Sequence, residues 1–161
     1  MSKAKRRPSQ LDSPVVGRII KYVSRAHAWV YRRTSGAIGI NWRIGSALRK
    51  PVRTLLLHHR GRKSGRSFTA PLLYLRDGDN IVVVASQGGL ANHPQWYFNL
   101  RHDPDTTVQI GKEVLPVRAR VAQQQERAAL WPKLVELYAD FDTYQAWTDR
   151  EIPVVILEPR R

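Results

Sequence analysis

The chain has 161 residues, enough for one domain with a core of its own and too few for two. It contains no cysteine, which excludes disulfides, thiolate metal sites and cysteine nucleophiles. Its formal charge of +14 points to nucleic acid until it is divided along the chain: residues 1–53 carry thirteen Lys and Arg against one acid, Asp12, whereas residues 54–161 carry fourteen against twelve. The excess belongs to an N-terminal arm whose basic tail lacks the interleaved aromatics of a nucleic-acid groove.

Residues 1–13, with Lys3, Lys5, Arg6 and Arg7 ahead of Pro8, have the composition of a disordered basic tail. No apolar signal-peptide core follows, and no segment reaches the roughly 18 apolar residues of a membrane span, so a cytoplasmic location is expected. At Ser13-Pro14 the pattern changes, because serine caps helices and proline suits their first turn. Val16, Ile19, Ile20, Val23, Ala26, His27 and Val30 then recur at helical spacing, with Arg18, Lys21, Arg25 and Arg32 on another face. The spacing predicts a basic amphipathic helix of about 20 residues within 14–36. Two roles suit it: packing on the domain or a second subunit, or lying on the anionic inner face of the membrane.

Residues 37–161 read as one domain. Past Gly39 and Gly45, short strands are expected over Val52–His59, Phe68–Arg76, Asn80–Ala85, Thr106–Ile110, Glu113–Ala122 and Ile152–Leu157, joined by turns such as Gly61–Gly65, Asp77-Gly78-Asp79 and Gly111-Lys112. Helical patterns interrupt them at Pro94–His102 and Gln123–Tyr138. About six mostly antiparallel strands with segregated helices predict an α+β fold built on a small barrel.

Three segments carry residues suited to chemistry. Arg60, Arg62, Lys63 and Arg66 crowd a glycine-punctuated turn, where backbone amides and cations would cradle a phosphate or polycarboxylate; a solvated hairpin tip fits equally well. Val84-Ala85-Ser86-Gln87-Gly88-Gly89 ends a strand in small residues, either an ordinary exit or a wall for a flat ligand with the Ser86 hydroxyl as donor. Trp96, Tyr97 and Asn99 on the helix that follows would supply a second wall. Tyr138, Phe141, Tyr144 and Trp147 recur every three residues, as a core seam or as a lid. The five histidines lack ligand spacing and no serine has triad partners, so no metal and no triad are expected. Redox chemistry here would belong to a cofactor.

With these residues the chain resembles the deazaflavin-dependent nitroreductase family, split β-barrel proteins of the FMN-binding-like type that bind coenzyme F420. The resemblance runs from about Pro14 to Pro159. It rests on Tyr31-Arg32-Arg33, Gly61 to Gly65, Pro71 to Gly78, Val83 to Gly89, Pro94 to Leu100, Tyr144 to Arg150, and Ile152 to Val155, each weak alone and strong in this order and spacing. It implies that Arg62, Lys63 and Ser64 hold the phosphate and glutamate tail of F420, and that Phe68, Thr69, Ala70, Pro71, Leu72 and Leu73 run beneath the cofactor. It further implies that Val84, Ala85, Ser86 and Gln87, with Gln95, Trp96, Tyr97, Phe98 and Asn99, contact the deazaflavin and its ribityl chain, and that Phe141 lies over the ring.

The implied reaction is hydride transfer from C5 of reduced F420 to a planar, electron-poor acceptor such as a quinone or nitro compound. Ser86, Tyr138 and Tyr144 are the catalytic candidates, orienting the acceptor or stabilising its developing charge. Two positions depart from the family pattern: Phe68 stands where an arginine is usual, and Phe141 where nitroimidazole-reducing members carry tyrosine. The resemblance allows a homodimer. The rival readings are an FMN-dependent oxidoreductase on a similar barrel, or a non-catalytic basic module gripping a membrane or nucleic acid, whose DNA affinity would fall steeply with salt.

Overall fold

Ser13 closes the first turn of α1 (Pro14–Arg33): its hydroxyl accepts a hydrogen bond from the Val15 N–H at 3.3 Å, and Pro14 takes the first helical position. The computed structural model describes residues 8–9, 13–36, 41–42 and 50–161, so the expected basic tail and most of the connection after Gly36 lie outside the described residues. The helix has its predicted length but buries a different stripe. Ala28 and Tyr31 pack on Leu56, while Val15, Ile19, Ile20, Tyr22 and Val23 face solvent. Tyr31 sets this rotation, because its hydroxyl donates to the Thr54 carbonyl at 3.2 Å and accepts from the Gly111 N–H at 2.9 Å. Gly36 completes the dock at φ +82°, where a Cβ would meet the Gly111 Cα at 2.9 Å.

The described strands are β1 (Asn41–Trp42), β2 (Val52–Arg60), β3 (Ser67–Leu73), β4 (Leu75–Asp77), β5 (Asn80–Val84), β6 (Asp105–Ile110), β7 (Glu113–Val121) and β8 (Val154–Pro159). All their pairings are antiparallel. The strand predicted over Phe68–Arg76 bends at Tyr74, so that β3 pairs β2 and β4 pairs β5. The remaining order, β2-β6-β7-β8-β5, then returns to its start through this bent segment, and the sheet curls into the split barrel.

Alternation along the strands divides the core. Leu55 and Leu57 point into the barrel with Ile81, Val83 and Leu157, where α2 (Gln95–His102) adds Trp96, Tyr97 and Leu100. Val82, Val84, Val154 and Ile156 point outward beneath α3 (Gln124–Leu137) and α4 (Asp140–Ala146), meeting Leu130, Leu134, Tyr138 and Phe141. Strands enclosed on both faces read as continuous apolar runs, which is why Asn80–Ala85 and Ile152–Leu157 were legible as strands. A capping box between Gln123 and Glu126 starts α3, and Arg120 ties that start to β8 through Glu126 at 2.7 and 2.8 Å and Glu158 at 2.6 Å.

Candidate active site

The β2–β3 connection, Gly61 to Arg66, is a tight hairpin. Gly61 N–H donates to the Arg66 carbonyl at 2.8 Å, and a Cβ at Gly61 would strike the Ser64 hydroxyl at 2.6 Å and the Phe68 ring at 2.9 Å. Beside it opens a cavity of about 1330 Å³. One end is formed by Ser64, Arg66, Ser67 and Phe68, and Thr69 to Leu73 form its floor. Val84, Ser86, Gln87, Gly88 and Trp96 make a side wall, and Tyr138, Phe141, Tyr144 and Trp147 close the far end. The last side comes from α1, with Lys21, Arg25, Ala28, Trp29 and Arg32.

Several expected residues sit behind these walls instead of on them. Arg62 turns back toward α2: its N–H and Nη1 donate to Asn99 Oδ1 at 3.1 and 3.2 Å, Nη1 also donates to Gln95 Oε1 at 3.0 Å, and the guanidinium lies 5.1 Å from the Phe98 ring centre. Arg62, Gln95, Phe98 and Asn99 thus fasten the hairpin to α2. Lys63 is exposed at the tip, and Ala85 and Tyr97 are buried in the barrel core. Tyr97 faces a separate cavity of about 270 Å³ beside Leu100 and Arg101.

Asn99 orders one further group. With Oδ1 taken by Arg62, its Nδ2 donates to His59 Nδ1 at 3.0 Å, so His59 is neutral and carries its proton on Nε2. Burial, helped by His58, pushes His59 down to about 4. Its ring stacks on Phe68 with centres 5.6 Å apart and lines the cavity, a role the sequence did not signal because adjacent histidines on a strand face opposite ways.

At the far end the hydroxyls of Tyr138 and Tyr144 are 3.1 Å apart. Burial holds both phenols above the ordinary tyrosine range, and their mutual bond raises Tyr138 further, so both stay protonated. Phe141 lies edge-on to Tyr138 with centres 5.1 Å apart. The every-third spacing therefore serves both purposes left open by the sequence, since Tyr138 and Phe141 pack in the outer core and also face the cavity. Gly89 lets the Ser86 turn approach α4 this closely, because a Cβ there would meet the Tyr144 carbonyl at 2.7 Å. Arg150 bonds the loop from behind, an interior role that its charged neighbours Asp149 and Glu151 concealed in the sequence.

Among the described residues no three His, Asp or Glu are grouped as metal ligands. Residues 23–159 match the family model described as F420H(2)-dependent quinone reductase. The chain belongs to this family. The Mycobacterium tuberculosis protein Rv3178, whose name places it among the F420H(2)-dependent quinone reductases, is 60% identical over 118 residues, which span 73% of this chain and 99% of that relative. The solved F420-H2 dependent reductase FDR-A is 40% identical with a TM-score of 0.61, over 65% of this chain and 93% of its own. A structure described as a domain-swapped dimer is 32% identical with a TM-score of 0.64, over 87% and 99%. Members of the F420H(2)-dependent quinone reductase family are oxidoreductases that use reduced F420 as hydride donor, and the split barrel read from the motifs is theirs.

Proposed function

We propose that this chain passes hydride from reduced F420 to a quinone inside the large cavity, with nitro compounds as a second acceptor class. One observation carries the reading: a single cavity runs from the cationic β2–β3 hairpin to the aromatic cluster of α4. A planar tricycle with an anionic tail needs both ends, and the walls between them are small or flat. Reduced F420, when bound, supplies a hydride from C5.

The residues divide the remaining work. Ser64, Arg66 and Lys63 at the tip would hold phosphate and glutamate carboxylates, while Phe68, Thr69, Ala70, Pro71, Leu72 and Leu73 form the floor. Val84, Ser86, Gln87, Trp96 and Phe141 would confine the ring. Arg62, Gln95, Phe98 and Asn99 act through the hairpin they anchor. Tyr138 and Tyr144 share one hydroxyl bond and Asp140 is a second hydrogen-bond partner of Tyr138, a linked set that would orient a ligand oxygen that gains negative charge. Phe141 offers no hydroxyl there, which favours a quinone over a bulky nitroimidazole.

The test is anaerobic: reduced F420 and the full chain are mixed with a soluble quinone, and the return of deazaflavin absorbance is followed. Quinone-dependent oxidation in a one-to-one ratio is expected. A protein that purifies yellow with FMN and leaves reduced F420 untouched supports the flavin alternative.

The arm adds a location. Tyr22 is 68% and Trp29 61% exposed, and together with Val15, Ile19 and Val23 they form an apolar arc beside Arg18, Lys21, Arg25 and Arg32. Apolar exposure flanked by cations matches an anionic membrane surface, where each nearby cation contributes about 1 kcal/mol. Among the described residues no helix is long and apolar enough to cross a membrane. Docking by α1 would hold the cavity near lipid-soluble quinones at the inner face. A second copy of the chain, as in the 32% identical relative, is the other partner considered, and nucleic acid is not one.

A further inference from the structure

The loop after β5 adopts a backbone that side chains rarely occupy. Ser86 is right-handed helical at φ −76° and ψ −38°, and Gln87, Gly88 and Gly89 follow with φ of +45°, +63° and +76°. A right-handed residue followed by a left-handed one turns successive N–H groups to one side, a concavity suited to anionic oxygen. Gln87 has a Cβ, so its conformation is strained and must be held from outside.

Arg150, beyond the end of α4, holds it. Nε donates to the Leu90 carbonyl at 2.9 Å, Nη1 to the Ala85 carbonyl at 3.2 Å, and Nη2 to the Ser86 carbonyl at 2.7 Å. Nη1 also meets His93 Nδ1 at 2.8 Å, and because a guanidinium only donates, His93 is the acceptor. Three carbonyls are thereby gathered on a side chain behind the cavity wall, while Ser86, Gln87 and Gly88 line the cavity itself.

We propose that Arg150 is a positioning residue: it sets the Ser86–Gly88 turn so that its N–H groups and the Ser86 hydroxyl receive a carbonyl oxygen of a planar redox ring. The proposal rests on the F420 reading of the same cavity. The oxygen belongs to the deazaflavin or to the quinone, and the experiment separates them.

The full chain and its Arg150→Gln, Arg150→Lys and Gly88→Ala variants are titrated by tryptophan fluorescence with oxidised F420 and with the deazaflavin riboside that lacks phosphate and glutamates. KM for a soluble quinone is measured alongside. Gly88→Ala perturbs the turn without touching any other part of the protein, since a Cβ there meets nothing within 4 Å yet sits at φ +63°. For a deazaflavin oxygen, Arg150→Gln and Gly88→Ala weaken the riboside and intact F420 alike, by about tenfold, and Arg150→Lys recovers only part. For a quinone oxygen, both dissociation constants hold and the quinone KM rises by a similar factor. A purely structural role lowers the unfolding temperature and leaves every constant of the folded protein at its wild-type value, which overturns the proposal; so does full recovery by lysine. Wild-type protein that binds neither F420 nor riboside is a different result and removes the F420 reading itself.

Discussion

Arg62 and Arg66 share one hairpin and do different work. Arg62 is held by Asn99 and Gln95 and does not line the cavity, whereas Arg66 does. The cationic cluster was legible in the sequence. Which guanidinium lines the cavity was not, because Asn99 lies 37 residues downstream of its partner and nothing in their spacing links them. His59 was hidden in the same way, its partner Asn99 lying 40 residues downstream. Its depressed pKa means that the unfolded chain binds a proton more readily, so its contribution to stability is complete above pH 6.5 and is lost as pH falls toward about 4. Burial lowers His58 and His93 in the same direction. Thermal unfolding should therefore drop between pH 7 and pH 4.5, and His59→Gln, whose amide oxygen can still accept from Asn99, should drop less. Equal slopes for variant and wild type would remove His59 from the account.

At the scale of elements, α1 to α3 and strands β2 to β8 followed from local pattern, with β3 and β4 read as one, while α4, β1 and the orientation of α1 did not. The apolar periodicity of α1 gave its length, but Tyr31 fixes which stripe faces the barrel. Tyr31→Phe leaves the Thr54 carbonyl and Gly111 N–H without that hydroxyl, and should cost about 1–3 kcal/mol in denaturant unfolding. A loss near zero would show that packing alone seats the helix. The exposed arc makes a separate prediction: the chain should sediment with vesicles rich in anionic lipid, less so in high salt, and Ile19→Glu/Val23→Glu should abolish it. Unchanged sedimentation of that variant would contradict membrane docking. Self-association lost in the same variant without any vesicle binding would assign the arc to a second copy. The bend at Tyr74 escaped prediction for a comparable reason, since Phe68–Arg76 is an unbroken strand pattern until β2 and β5 compete for its two halves.

For the whole molecule, the division of charge between arm and barrel matches a division of labour. A nearly neutral barrel carries the cavity, and the basic arm supplies α1 as one of its sides. Phe68, standing where the resemblance leads one to expect arginine, stacks on His59 and covers Gly61, which leaves Arg66 as the cavity's cation at that end of the hairpin. We infer that this cavity takes a deazaflavin by its charged tail. Fluorescence titration of the intact chain and of Arg66→Ala with oxidised F420, using FMN as control, tests it. Saturable binding of F420 in preference to FMN, weakened about tenfold by Arg66→Ala, is the predicted result. Equal affinity of wild type and variant for F420, or a preference for FMN, would contradict it.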